Sequence, residues 1–426
     1  MKIELTNIGM IQNASVKLDG LTVIAGENDT GKSTVGKVVF CIIKAISRYE
    51  EDFQESKINK IEEKLDRLFF IIRKNINTEE EYKELKYILS IEYYLQNIDN
   101  NDSYLKNINS VIISFFKNIK NNFDENFIKS IIKELELIIQ TPEDKNKAIQ
   151  SALTKVFRSE FDSNIVSFDK EFGYIKLIEN NLILLDLKIK NNSMEILKDI
   201  EPIEFMEATF IETPLILNNH DILNKTQSGL NITKKSSRRI GIPYTTLHTK
   251  DLFDKLKSTE WFFKNGFEYN IQNIINGEII YDIDDKDFVY VRDEQKIPIK
   301  NTATGIKAFG IIQLLMDNGF INRTSLIIID EPEIHIHPKW QLKYAQLISI
   351  LVKNDIPLII TSHSPYMIEA LKRYSDIESL ESKTNFYLAQ NGIIEDNEDS
   401  LSNIFKVLSE PFELFRKMDS EILEDE

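Results

Sequence analysis

Gly26-Glu-Asn-Asp-Thr-Gly-Lys-Ser33 is the stretch that decides the fold, because it matches the phosphate-binding pattern G-x-x-x-x-G-K-[ST]. The apolar run Leu21–Ala25 precedes it and predicts a buried strand, whereas Val35, Val38 and Val39 follow at helical spacing. A strand, a glycine-containing loop and a helix are the surroundings that the motif requires. The glycines let backbone N–H groups point at phosphate oxygens, and the helix N-terminus favours an anion.

Two side chains of this loop carry the chemistry that a nucleotide phosphate needs. Lys32 supplies a mobile positive charge for the β- and γ-phosphates, and the Ser33 hydroxyl can ligate Mg²⁺. The alternative is an ordinary glycine-rich turn, and the regular strand and helix on either side argue against it. We therefore predict a nucleotide phosphate site with Mg²⁺.

Composition limits the classes of function that remain open. A length of 426 residues suits two or three domains, and 42% hydrophobic with 28% charged residues is typical of a soluble globular protein. The net charge of −16 does not attract nucleic acid, so such a contact needs a local basic patch. The single cysteine, Cys41, excludes a disulfide framework. We find neither a signal peptide nor an apolar run of membrane-spanning length, so we expect a cytoplasmic protein.

The rest of the chain divides by composition into three parts. Residues 48–140 contain neither proline nor glycine and show helical periodicity without a sustained heptad, which predicts several amphipathic helices rather than a long coiled coil. Tyr174–Ile178 and Leu182–Ile189 flank Asn180-Asn181, which is typical of a β-hairpin. We predict that residues 1–47 and 201–426 form one domain around a mainly helical insertion, residues 48–200, that ends in this hairpin.

A second constellation follows the apolar run Ser325–Ile329. Four consecutive apolar residues indicate a strand buried on both faces, as in a parallel sheet, where ligands bind beyond the carboxyl ends of strands. That location places Asp330 and Glu331 beside the phosphate loop. Asp330 can hold Mg²⁺, and Glu331 can polarise an attacking water as general base. The alternative is that these residues form an acidic turn after a core strand, with no role in catalysis.

His363 occupies an equivalent position on the next strand. Pro357–Thr361 reads as a strand that runs into Ser362-His363, and Ser364 with Pro365 is typical of the start of a helix. A lone histidine is usually structural. Because His363 lies at a strand end on the same rim, we predict a contact with the γ-phosphate or with water.

Thr304-Gly305 opens a further helix, which Gly319 ends. A hydroxyl and a glycine at a helix start can form a second anion site, and a plain helix cap is the alternative. One triphosphate site is already complete without it. A second phosphate contact therefore suggests a composite site that two subunits share.

These motifs together resemble the ABC-type ATPases of the SMC, double-strand-break-repair and OLD-family clade. The segment Asp330–Pro338, Asp-Glu-Pro-Glu-Ile-His-Ile-His-Pro, resembles in particular the bacterial OLD-like branch, many members of which are anti-phage defence ATPases of the Septu or retron-associated kind. The resemblance implies an α/β fold of the ABC-type P-loop NTPases, with a mixed sheet and a large, mainly helical insertion. It covers residues 1–47 and roughly 201–400, and no motif covers the insertion.

The resemblance also implies a role for each matching residue, with ATP and Mg²⁺ as cofactors. Ser33 and Asp330 would hold Mg²⁺, Glu331 would be the catalytic base and His363 the switch histidine. Thr304-Gly305 would stand for the signature motif, with Lys307 serving where relatives use another polar residue, and Glu212 is the nearest candidate for the Q-loop. The residues expected to bind the nucleotide are Gly26, Asn28, Thr30, Gly31, Lys32, Ser33, Thr34, Thr304 and Gly305.

The sequence departs from some members of this clade. OLD nucleases carry a C-terminal Toprim domain, and the stretch after Pro365 is too short for one. His335 and His337 with Glu333 can indicate a metal site, although their spacing and the resemblance favour a loop at a dimer interface.

Three functions are compatible with these patterns. The leading one is an ATPase that hydrolyses ATP at a homodimer interface and controls a separate effector, a nuclease, in anti-phage defence. The alternative is a DNA-repair or chromosome-associated SMC-like switch, and a transporter subunit fits less well because of the helical insertion. Nucleic acid is a possible partner through a basic loop, which otherwise is a solvated surface loop; its residues are Lys234, Lys235, Arg238 and Arg239.

Overall fold

The computed structural model describes residues 1–73, 78–97, 100–117, 125–140, 144–162, 164–191, 193–228, 244–258, 271–334, 336–396 and 400–424. The basic loop around Lys234 and the residue His335 lie outside these ranges. The described chain forms two compact units, of which the first comprises residues 1–47 and 153–426 and the second residues 48–152.

The described strands fall into one large sheet and two small ones. In chain order they are β1 (Lys2–Ile8), β2 (Ile11–Lys17), β3 (Leu21–Gly26), β4 (Gly173–Glu179), β5 (Leu182–Lys190), β6 (Ser193–Ile196), β7 (Glu207–Ile211), β8 (Gln227–Ser228), β9 (Tyr244–Thr245), β10 (Glu278–Asp282), β11 (Asp287–Arg292), β12 (Gln295–Pro298), β13 (Ser325–Asp330), β14 (Leu358–Ser362), β15 (Thr384–Gln390) and β16 (Ile393–Glu395). The large sheet has the order β6-β5-β4-β1-β2-β16-β15-β3-β14-β13-β7, while β10-β11-β12 and β8-β9 stand apart from it.

Helices connect and cover these strands. They are α1 (Lys32–Ile72), α2 (Glu79–Ile88), α3 (Ile91–Gln96), α4 (Asn101–Lys117), α5 (Glu125–Gln140), α6 (Lys145–Phe161), α7 (His220–Leu223), α8 (Leu247–Leu256), α9 (Gln272–Ile275), α10 (Thr304–Asp317), α11 (Pro338–Lys353), α12 (Pro365–Ile377) and α13 (Ser400–Glu424). Among the helices that the structure describes, none combines the length and the apolar character that crossing a membrane would require.

The part of the sheet that positions the site is parallel. Strands β15, β3, β14, β13 and β7 pair in parallel, and β14 lies between β3 and β13. Every residue of β3 and of β14 is buried, as expected for strands that have helices on both faces. Because parallel strands end at a common edge, the residues that follow β3, β13 and β14 are brought together there.

The hairpin that follows the helical region belongs to the large sheet. Asn180 (φ 46°) and Asn181 (φ 68°) form its turn, and both adopt the left-handed conformation that a two-residue hairpin loop requires. Strand β4 pairs with β1 in antiparallel register, with Ile175 opposite Leu5. The predicted insertion of residues 48–200 is therefore longer than the second compact unit, which ends at Ala152, because hydrogen bonds to β1 place the hairpin in the first unit.

The second unit is built from amphipathic helices that bury one face each. The apolar residues Leu65 and Leu68 on α1 and Ile108 and Ile112 on α4 recur at spacings of three and four. They form a core of their own with Leu135 on α5 and neighbouring side chains. This unit therefore has the hydrophobic core that an independent compact unit needs.

Candidate nucleotide-binding site

Two glycines allow the phosphate loop to approach the neighbouring strands. Gly31 has a φ of 89°, and a Cβ atom there would lie 2.7 Å from Cγ1 of Ile11. A Cβ at Gly26 would overlap the carbonyl oxygen of Ala389 on β15. Between the two glycines Asp29 also has a positive φ, of 65°. The loop therefore has the tight curl in which backbone N–H groups can surround an anion.

Lys32 lies across this loop and is almost fully buried. Its ammonium group donates a hydrogen bond to the carbonyl oxygen of Glu27 at 2.5 Å, and the Thr30 hydroxyl donates to the same oxygen at 2.8 Å. Burial lowers the pKa of Lys32, and the carboxylates of Glu331 and Asp330 act in the opposite direction. A cation thus stands next to the predicted anion site, held by the loop itself.

The other predicted loop residues differ in exposure. Asn28 is exposed, whereas Thr34 is half-buried. The backbone N–H of Thr34 donates to the carbonyl oxygen of Gly31 at 3.1 Å near the start of α1.

Ser33 and Asp330 meet at the carboxyl edge of the sheet. The Ser33 hydroxyl donates to Oδ1 of Asp330 at 2.8 Å, and the Thr361 hydroxyl donates to the same oxygen. Burial raises the pKa of Asp330, and these two hydrogen bonds oppose that rise. A hydroxyl and a carboxylate are the hard oxygen ligands that Mg²⁺ prefers, so these residues fit a magnesium ion bound with a nucleotide.

Thr361 also fixes Glu331. The backbone N–H of Glu331 donates to the carbonyl oxygen of Thr361 at 3.1 Å and to its hydroxyl oxygen at 3.2 Å. Glu331 has a φ of 47°, a left-handed conformation that is rare for residues other than glycine and is typical of functional sites. No sequence pattern indicates this role of Thr361, because its hydroxyl contacts residues about thirty positions away.

His363 lies beside Glu331. Nδ1 of His363 is 3.3 Å from Oε1 of Glu331 and 3.5 Å from Oε1 of Glu333. The His363 side chain is 42% exposed and that of Glu331 is 23% exposed, so solvent reaches both groups. The structure thus brings together a carboxylate and an imidazole on the same edge as Lys32 and Asp330.

Glu333 holds the loop that carries His363. Its Oε1 accepts hydrogen bonds from the Ser362 hydroxyl at 2.8 Å and from the backbone N–H groups of His363 at 2.9 Å and Ser364 at 3.1 Å. The sequence pattern indicates Glu333 only as a possible metal ligand with His337 and with His335, which lies outside the described residues. His337 instead caps α11, since the backbone N–H of Lys339 donates to its Nδ1 at 3.2 Å.

Thr304 and Gly305 form the first turn of α10. The residue before the helix is Ala303, whose side chain cannot cap it, and a Cβ at Gly305 would lie 2.9 Å from Cε3 of Trp340 on α11. Within the described ranges, Thr304 makes no hydrogen bond to the phosphate loop. Lys307 is buried, and burial lowers its pKa. Among the described residues, this helix start is thus not linked by a hydrogen bond to the phosphate loop of its own chain.

Glu212, the Q-loop candidate, follows β7 on the same edge as Asp330. Its Oε2 is 3.1 Å from Nε2 of His248, and its Oε1 is 3.4 Å from Nζ of Lys37. The hydrogen bond from His248 lowers the pKa of Glu212 to about 2. On its other side His248 contacts Glu160. No sequence pattern points to His248 or Glu160, because only the fold brings these two residues together with Glu212.

Residues 1–368 match a protein family described as AAA ATPase domain. The chain belongs to this family. The match covers most of the sequence, and the parallel strands with the phosphate loop at their edge, in a sheet that also has antiparallel strands, confirm the predicted α/β fold with a mixed sheet. This ATPase therefore binds and hydrolyses ATP.

The similarity between this ATPase and its curated relatives covers only part of each relative's length. The endonuclease GajA of Bacillus cereus (strain HuB5-5) is 24% identical over 409 residues, which are 86% of this chain and 55% of GajA. The Septu protein PtuA of Bacillus thuringiensis is 52% identical over 46 residues, 11% of each chain. The chain thus spans about half the length of GajA and less of PtuA.

Solved structures show weaker likeness. An SMC head bound to the C-terminal winged-helix domain of ScpA aligns with 95% of this chain and 98% of its own, at 9% identity and a TM-score of 0.37. The SMC head domain from Thermotoga maritima aligns with 92% of this chain and 96% of its own, at 11% identity and a TM-score of 0.33. The fold assignment therefore rests on the strand order and the family match.

Proposed function

We propose that this ATPase forms a homodimer around ATP and controls a separate effector, a nuclease, in defence against phage. The observation that supports a dimer is the exposure of His363 and Glu331 at the edge of the site. Hydrolysis is favoured when water other than the reacting molecule is excluded. An edge that is open in one subunit therefore needs a second surface to cover it.

Each subunit supplies one set of reacting groups. Lys32 and the loop N–H groups would bind the phosphates, and Ser33 with Asp330 would hold Mg²⁺. Bound Mg²⁺ would neutralise charge on the phosphates. Glu331 takes a proton from the attacking water as general base, and His363 holds that carboxylate and the water in place.

The start of α10 is the surface that we propose to cover the site of the other subunit. Thr304 opens the helix with a hydroxyl that does not contact its own phosphate loop, and Gly305 removes the side chain at the second position. A helix N-terminus presents free backbone N–H groups and a favourable dipole to an anion. The γ-phosphate bound to one subunit would complete this site on its partner.

Mixing two inactive variants tests the composite site. Lys32→Ala removes the phosphate contact, and Thr304→Arg blocks the helix start. A shared-site heterodimer keeps one intact composite site, so mixing should restore part of the ATPase activity. The shared site would be overturned if the heterodimer of the two variants is inactive while the purified heterodimer of wild type and Lys32→Ala is active, since the latter keeps one complete site in either geometry. Heterodimer formation is measured with two affinity tags.

The role in defence is supported by the likeness to GajA and PtuA. Glu331→Gln should hold the ATP-bound dimer, and its co-purification from the native host should recover a nuclease. Recovery of bound DNA without a protein effector would favour the alternative, a DNA-repair or chromosome-associated switch. Plaque assays with wild type and Glu331→Gln then test whether hydrolysis protects cells, and Lys32→Ala tests whether ATP binding does. We place this activity in the cytoplasm, where phage DNA is accessible.

A further inference from the structure

His248 is a buried imidazole with a carboxylate on each ring nitrogen. Nδ1 lies 2.6 Å from Oε1 of Glu160, and Nε2 lies 3.1 Å from Oε2 of Glu212. Burial lowers the pKa of His248, but the hydrogen bonds to both carboxylates outweigh burial and raise it. A ring with a proton on each nitrogen can donate to both carboxylates at once.

Two aromatic rings and the hydrogen bonds to its carboxylate partners hold the orientation of the His248 ring. The ring of Phe210 lies 4.9 Å away, and that of Phe40 lies 6.4 Å away at an interplanar angle of 88°. The second oxygen of Glu160 accepts from the backbone N–H of His248 at 3.3 Å, and the Glu160 side chain is fully buried. Neither His248 nor Glu160 can turn without leaving a buried polar group unpaired, which would be costly.

Glu212 is the one member of this chain of hydrogen bonds that reaches solvent, with 46% of its side chain exposed. It directly follows Ile211, which pairs with Ile329 on β13, so Glu212 and Asp330 leave neighbouring strands at the same edge. Its other oxygen faces Lys37, four residues after Ser33 and hence on the same face of α1. The carboxylate therefore lies at the edge where Ser33 meets Asp330.

We propose that His248, supported by Glu160, is the positioning residue that holds Glu212, the Q-loop candidate, at the nucleotide edge. A half-exposed glutamate on a loop would otherwise sample several rotamers, and groups that act on a metal site are effective when a second group holds them in place. The inference depends on the ATPase activity of the family and on neither the dimer nor the effector.

Four variants test this arrangement. Glu212→Ala removes the carboxylate, and Glu212→Gln keeps an acceptor for His248. His248→Gln leaves an amide oxygen that must face one of the two carboxylates, and adding Glu160→Gln supplies an N–H group for that oxygen. The readouts are kcat, KM for ATP, the melting temperature, and the Mg²⁺ concentration that half-saturates binding of a fluorescent ATP analogue.

Glu212→Ala and His248→Gln should each raise the Mg²⁺ requirement and lower kcat by about 10-fold, the usual effect of removing a residue that orients metal-site groups. Their double variant should lose no more than either alone, because the two residues act as one unit. Glu212→Gln and the pair His248→Gln with Glu160→Gln should recover most of the wild-type Mg²⁺ requirement. His220→Gln is the matched control, since His220 is another buried histidine that faces a carboxylate, Asp287, at 3.3 Å.

Wild-type Mg²⁺ requirement and kcat in both Glu212→Ala and His248→Gln would overturn the proposal, as would additive losses in their double variant. If His248→Gln fails to fold, the two variants of the exposed residue Glu212 provide the test. Equal Mg²⁺ requirements in Glu212→Ala and Glu212→Gln would overturn the proposal. A failed dimer is recognised separately, because nucleotide binding is measured on the unmixed protein while the composite site is tested by mixing.

Discussion

Oγ of Ser33 and Oδ1 of Asp330 lie 2.8 Å apart although 297 positions separate them in the chain. This contact joins the end of the phosphate loop to the end of β13, and the hydroxyl of Thr361 on the intervening strand β14 completes it. Three elements thus converge on one carboxylate, which is the group that we expect to hold Mg²⁺ with Ser33.

Glu331→Gln should bind ATP and hydrolyse it at least roughly 100-fold more slowly than wild type, because the amide cannot accept a proton from water. Lys32→Ala should instead weaken nucleotide binding. The two variants are compared by titration with a fluorescent ATP analogue and by phosphate release. Near-normal turnover in Glu331→Gln would assign the base to another residue.

Thr361→Val should lower kcat by about 10-fold, since the hydroxyl orients both Asp330 and the backbone of Glu331. Thr22→Val is the matched control: Thr22 is a buried threonine on the adjacent strand β3, and its hydroxyl donates to the carbonyl oxygen of Lys17 at 2.6 Å. Both variants should lose about 1 kcal/mol of unfolding free energy. If they lose equal activity, Thr361 has only a structural role.

Glu333→Ala should destabilise the fold by about 2 kcal/mol or more, because three donors at residues 362–364 lose their acceptor. Glu333→Gln keeps an acceptor oxygen and should lose less. Urea unfolding of the two variants gives the difference. ATPase activity should fall with Glu333→Ala, because the loop that carries His363 loses its anchor. Equal stability of the two variants would contradict this role.

The stabilising effect of Glu212 should depend on pH. Its pKa is about 2 in the folded protein against an ordinary value of 4.5, so the unfolded chain takes up a proton first as the pH falls. The contribution is fully present above pH 4.5 and is lost as the pH falls toward about 2. Because the Glu212 side chain is partly exposed, solvent screening reduces the size of this contribution to stability.

The measurement is the difference in unfolding free energy between wild type and Glu212→Gln at pH 6, 4.5 and 3. Wild type should be the more stable at pH 6, and the difference should narrow at pH 3. A difference that does not change over this range would contradict the shifted pKa.

Local pattern was enough to predict several elements of the fold. The turn at Asn180-Asn181, the start of α12 at Pro365 and the strand before Asp330 were all predicted, because each depends on backbone preferences of adjacent residues. The pairing of β4 with β1 was not predicted, since it joins residues more than 160 positions apart. Periodicity identifies a strand but does not identify its neighbours.

The sequence by itself determined the phosphate loop, the acidic strand end and the position of His363, because a loop between a strand and a helix and the end of a buried strand are local features. Only the tertiary structure decided that Thr361 fixes Asp330, that Glu333 anchors the loop of His363, and that His248 lies between Glu160 and Glu212. Those contacts form where strands and helices distant in sequence pack together, and hydrogen bonds of that kind leave no periodic signal in the chain.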